Sequence, residues 1–164
     1  MMTKPTLATV WLDGCSGCHM SFLDMDLVYS PLVDAKEFPD SVDVTLVEGA
    51  VSTDGDYEKI LKVRKHTKCL VSFGDCAITA NVPSMRNRFS VSDIMQRAYF
   101  ETADLNQQVP SEVVPTLLAR VGPVHEVVPV DVFIPGCPPS ADLIFSVVSD
   151  LVAGRVPDLH EKFG

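Results

Sequence analysis

Cysteine carries most of the chemistry open to this chain, which has five of them. Two stand close together in Trp11-Leu12-Asp13-Gly14-Cys15-Ser16-Gly17-Cys18-His19. Thiolates at that spacing can hold one metal centre or form one redox disulfide. The small residues between them, Ser16 and Gly17, let the backbone close around whatever is bound. Cys76 follows in Gly74-Asp75-Cys76, and Cys137 in Pro135-Gly136-Cys137-Pro138-Pro139. Cys69 differs: it lies inside an apolar run and reads as a small buried hydrophobe. Glu48, in Val47-Glu48-Gly49, is a polar residue at a strand end and a further candidate. His19 could orient or contact a cofactor or partner, whereas His66, His125 and His160 read as structural.

The elements that must position these residues alternate in type. Strands are expected over 7–12, 42–47, 69–73 and 130–134, from apolar or β-branched runs that end in turn residues. Helices are expected over 20–29, 54–66, 92–100 and 139–153. On the second, Tyr57, Ile60, Leu61 and Arg64 should share a face, leaving Lys59, Lys62 and Lys65 as a solvated basic edge. Gly49 and 52–55 read as a turn. Residues 77–125, punctuated by Pro110, Pro115 and Pro123, read as loop-rich and suited to a partner. The last helix should carry Ala141, Ile144, Phe145, Val148, Leu151 and Val152 as a stripe, widened by Leu143 and Val147.

Strands alternating with helices imply a parallel sheet covered on both faces. Ligands of such sheets sit outside the carboxyl ends of the strands. Cys15 and Cys18 follow the first strand, Cys76 the third and Cys137 the fourth, so residues far apart in sequence should meet at one edge. A haem-attachment reading of Cys15 to His19 leaves Cys76 and Cys137 without a role, and so does a thioredoxin-like dithiol. Zinc could take the same four thiolates, although structural zinc sites usually pair two close knuckles. Dispersed loops, one closed by Pro-Gly-Cys-Pro, suit an iron–sulfur cluster better.

The bulk composition narrows the partners. The chain of 164 residues is 46% apolar and 21% charged, which fits one globular domain. A net charge of −9 argues against nucleic acid and against an anionic membrane surface. No export signal or run long enough to span a bilayer is visible, so a cytoplasmic location is expected.

Three stretches together carry a resemblance. They are Trp11-Leu12-Asp13-Gly14-Cys15-Ser16-Gly17-Cys18-His19-Met20-Ser21-Phe22-Leu23-Asp24, Gly74-Asp75-Cys76-Ala77 and Pro135-Gly136-Cys137-Pro138-Pro139. They resemble the small subunit of [NiFe] hydrogenases, in particular the short small subunit of the soluble, NAD-reducing type. The resemblance implies an α/β, flavodoxin-like, doubly wound parallel sheet with helices on both faces, with 1–164 as a single iron–sulfur-binding domain. It implies Cys15, Cys18, Cys76 and Cys137 as ligands of the [4Fe–4S] cluster nearest a nickel–iron site in a separate large subunit. No catalytic residue is then expected in this chain. Since no cysteine follows Cys137, the electron should leave to the iron–sulfur and flavin subunits of a diaphorase, which reduces NAD. The related complex I subunit, a quinone oxidoreductase component, is an alternative, but its first motif has adjacent cysteines. A zinc-stabilised interaction domain is another. Some soluble hydrogenases have been suggested to bind FMN in this subunit, but the turn over 13–17 carries cysteines in place of a Ser/Thr-rich phosphate loop.

Overall fold

The computed structural model describes residues 5–15, 17–18, 26–31 and 33–159. Its centre is a parallel sheet of five strands: β1 (Thr6–Trp11), β2 (Asp26–Tyr29), β3 (Val42–Glu48), β5 (Thr67–Phe73) and β7 (Val132–Ile134), in the order β2-β1-β3-β5-β7. That is the flavodoxin-like order, which reverses direction between β1 and β3. Two further strands, β4 (Val51–Thr53) and β6 (Leu117–Gly122), form a separate antiparallel pair.

Burial on both faces accounts for the near-continuous apolar runs of β1, β3 and β5. On one face Ala8, Val10, Val47 and Leu70 pack with Ile60 and Val63 of α1 (Asp54–His66). On the other, Leu7, Leu46, Val71 and Phe73 pack with Leu143, Ile144, Val147 and Val148 of α4 (Ala141–Val152). The first helix is sharply started by a capping box. Asp56 N–H donates to Thr53 Oγ1 at 3.0 Å, and Thr53 N–H donates to Asp56 Oδ2 at 3.0 Å. Ser140 caps α4 in the simpler way, its Oγ accepting from Leu143 N–H at 3.3 Å.

Several expectations need correction. The helix expected over 20–29 is contradicted in its last four residues: Asp26–Tyr29 is the edge strand β2, pairing with β1. Leu27-Val28-Tyr29 has the β-branched and aromatic character that an edge position can use, and the strand's neighbour outweighs local helical spacing. The first part of that expected helix lies outside the described residues. On α1 the buried face is Ile60 and Val63, while Tyr57 and Leu61 are both half-exposed. On α4 Phe145 points outward. Residues 52 and 53, expected in a turn, belong to β4.

The region 77–125 holds more regular structure than its prolines suggest. It contains the end of α2 (Asp75–Thr79), a 3-10 turn over Pro83–Arg88, α3 (Val91–Gln96), a π turn over Arg97–Glu101 and β6. No described helix is long and apolar enough to cross a membrane.

Candidate metal centre

Three chain segments leave the same edge of the sheet and bend toward one another. The first continues from β1, where Leu12 N–H donates to Glu48 O at 2.8 Å. Asp13 and Ala50 then exchange a pair of bonds, at 3.1 and 2.7 Å, that pins this loop to the end of β3. The pinning depends on Gly49, whose φ is +92° and whose absent Cβ would lie 2.7 Å from the Leu12 carbonyl carbon. The loop delivers Cys15, which is exposed, and Cys18, which is buried.

The second segment leaves β5 through Gly74 and carries Cys76 on α2. The third leaves β7 as Pro135-Gly136-Cys137-Pro138, with a cis bond between Cys137 and Pro138. These two segments extend the β5–β7 ladder past the strand ends. Gly74 N–H donates to Ile134 O at 2.8 Å, and Asp75 N–H donates to Gly136 O at 2.9 Å.

Cys15, Cys18, Cys76 and Cys137 all line one pocket of about 80 Å³, together with Glu48 and Phe73. Glu48 is 3% exposed and closes the end of β3, the strand beside which the topology reverses. The pocket thus occupies the ligand position expected for this sheet order. Among the described residues no group of three or more His, Cys, Asp or Glu side chains is arranged to hold one metal ion. The four thiols line one common space.

The electrostatics of the pocket point to the kind of group that fits. Burial pushes the Cys18 thiol up to about 12, and Glu48 and then the thiols of Cys15, Cys137 and Cys76 add to the rise. Burial raises the Cys76 thiol as well, partly offset by a backbone hydrogen bond from Val82. Four thiolates beside a buried carboxylate repel one another unless a cationic group joins them. The wall is also shaped to leave room. A Cβ on Gly74 would fall 2.7 Å from Cys18 Sγ, on a backbone at φ +82°. An iron–sulfur cluster fits this donor set.

Cys69 is absent from the pocket lining; it sits half-buried in β5, in register with Val44. Burial raises its thiol, Asp131 adds to the rise and Arg64 opposes it. His19 and His160 lie outside the described residues. His66 Nδ1 lies 2.9 Å from Asp40 O, and His125 meets Phe133 edge-on at 5.7 Å, both structural contacts. In the sequence, Gly74 and Asp75 read as the end of a strand and as part of the stretch around Cys76 that carries the resemblance, with no role of their own. Both line the pocket, and the one available signal was their place immediately before a cysteine.

Known proteins share this architecture. A model of the NADH ubiquinone oxidoreductase 20 Kd subunit family matches residues 15–151. The delta subunit of the NAD-reducing hydrogenase HoxS of Cupriavidus necator is 40% identical, over 95% of this chain and 82% of its own. A subunit of the F420-non-reducing hydrogenase of Methanothermobacter thermautotrophicus is 35% identical over 98% of this chain, but the chain spans only 58% of that relative's length. A crystal structure of an NAD+-reducing [NiFe]-hydrogenase in the H2-reduced state superposes with a TM-score of 0.91 at 34% identity, covering 99% of both chains. The Desulfomicrobium baculatum Ni-Fe-Se hydrogenase, at 17% identity and a TM-score of 0.59, shares the fold over 97% of this chain and 68% of its own. The chain belongs to the NADH ubiquinone oxidoreductase 20 Kd subunit family, as a small subunit of the NAD-reducing [NiFe]-hydrogenase type.

Proposed function

We propose that the chain passes electrons singly between the nickel–iron site of a hydrogenase large subunit and a diaphorase that reduces NAD. Cys15, Cys18, Cys76 and Cys137 are the residues that would hold one [4Fe–4S] cluster. The observation that carries this reading is that four thiols from three strand ends line one pocket. A cluster bound there supplies one-electron redox chemistry whose potential depends on nearby charge, hydrogen bonds and water.

The chain's own residues set those conditions. The cysteines provide the thiolates, and the burial of Cys18 ties their deprotonation to the arrival of positive charge. Phe73, fully buried, and Pro138 keep part of the wall apolar and limit water. Cys15 and Cys137 are exposed, so the pocket is open on a side that a partner could cover. Beside it, the segment after Cys76 exposes Val82, Met85 and Phe89, an apolar surface suited to the large subunit. Such an interface is typically large and more hydrophobic than a transient one. On this reading no acid, base or nucleophile of this chain takes part in the reaction. FMN is then not needed in this chain itself, which has no nucleic-acid or membrane partner, forms one iron–sulfur-binding domain over 1–164, and works in a cytoplasmic complex.

Substitution of the thiols tests the assignment. In the anaerobically purified complex, Cys15, Cys18, Cys76 or Cys137 changed to Ala should lose the EPR signal of the reduced cluster together with iron and acid-labile sulfide. Retention of the signal in Cys76→Ala, with loss in Cys69→Ala, would overturn the ligand set.

A further inference from the structure

We infer that Asp75 is a positioning residue for the metal centre, its carboxylate splicing the Cys76 loop to the Cys137 loop. The inference rests on the reading of these cysteines as ligands. It starts from the way the β5–β7 ladder ends. In a parallel ladder the residue that follows the paired step donates its N–H back to the neighbouring strand's carbonyl. Gly74 N–H donates to Ile134 O at 2.8 Å, so the regular return bond would run from Gly136 N–H to Gly74 O. That carbonyl is taken. It accepts from Ala77 N–H at 3.1 Å and from Ile78 N–H at 3.3 Å, the bonds that begin α2.

Asp75 fills the gap. Its Oδ1 accepts from Gly136 N–H at 2.7 Å, while its own N–H donates to Gly136 O at 2.9 Å. One residue thereby satisfies both backbone groups of Gly136. The next residue on each segment is a cysteine, Cys76 on one and Cys137 on the other. The bond therefore fixes the spacing of two thiols whose backbones would otherwise part. Its partner must be a glycine: Gly136 has φ +136°, and a Cβ there would lie 2.6 Å from Pro139 Cα. The same splice reaches the third thiol, since Gly74 lies against Cys18 Sγ. Loss of Oδ1 would leave the Gly136 N–H without this acceptor, so its loss should be felt.

The role belongs to the acceptor oxygen, which Asp75→Asn keeps and Asp75→Ala removes. The test is iron release to a chelator from the anaerobically purified complex, with EPR g-values recorded on the reduced sample. Partners of this kind typically change metal affinity roughly 10- to 100-fold, so Asp75→Ala should release iron faster by about that factor and shift the g-values. Asp75→Asn should release iron at the parent rate with unchanged g-values. Parent-like release from Asp75→Ala would overturn the inference, and so would Asp75→Asn as labile as Asp75→Ala. If Asp75→Ala does not accumulate, Asp75→Asn decides: parent-like release supports the inference and faster release overturns it. Cys76→Ala and Cys137→Ala run alongside. If they keep iron and labile sulfide, the ligand reading has failed. If they lose both while Asp75→Ala keeps them, only the positioning role has failed.

Discussion

A methyl group at Gly74 would meet Cys18 Sγ at 2.7 Å, on a backbone held at φ +82°. Strain of this kind costs about 1–3 kcal/mol, so Gly74→Ala should lower the unfolding temperature. It should also cost labile sulfide, because the clash it creates is with a candidate ligand. Normal sulfide in a destabilised variant would separate the glycine from the metal centre. Cys69→Ala is the contrasting case. It removes a half-buried side chain outside the pocket and should cost about 1 kcal/mol with no loss of cluster signal. The cysteines were legible in the sequence because thiols placed after apolar runs announce both their chemistry and their edge of the sheet. Asp75 was not legible in that way. Its task comes from a carbonyl diverted into α2, a conflict that exists only once two strands lie side by side.

Among the elements, the three central strands were legible from buried β-branched runs, and α1 from Asp54 to His66. The edge strand β2 was hidden because its pairing with β1 is a non-local contact that local spacing cannot express. Much of 77–125 was hidden for a related reason: its short pieces are held by side chains reaching distant backbone. Asn87 is the main example. Its Nδ2 donates to Val121 O at 2.9 Å and its Oδ1 accepts from Val121 N–H at 2.8 Å, clamping the 3-10 turn to β6. Asn87→Ala should cost about 1–3 kcal/mol and speed proteolysis within 77–125; unchanged cleavage would contradict the clamp. Across β1, β3 and β5, Asp43 does comparable work. It accepts from Lys68 Nζ at 2.7 Å and from Thr6 N–H and Oγ1 at 2.9 Å each. Lys68 first, then Thr6, pull its carboxyl from an ordinary value of 3.8 to about 2. Because the folded value is depressed, the contribution is present above pH 3.8 and lost as pH falls toward 2. In acid titrations followed by circular dichroism, Asp43→Asn should be the weaker fold near neutrality, and its deficit should close over that window. A deficit undiminished at the acid end would contradict the assignment.

The chain in its entirety is built for company. It carries a net charge of −9, yet Met85, Leu105, Val113 and Phe145 are strongly exposed. Apolar side chains exposed in this number are costly in water and useful in an obligate interface. Expressed alone, the chain should therefore be poorly soluble or lose its cluster, and co-expression with the large subunit should rescue it. Equal protease sensitivity of 77–125 with and without partners would count against that surface. Electron delivery from hydrogen to NAD through the thiol pocket is tested by H2-dependent NAD reduction in the anaerobically purified native complex. Nickel, iron and acid-labile sulfide are assayed on the same sample. NADH should form in a complex that contains nickel and labile sulfide, and Cys76→Ala should abolish the activity. Zinc in this chain without labile sulfide, or undiminished NAD reduction in Cys76→Ala, would rule out electron delivery by this route.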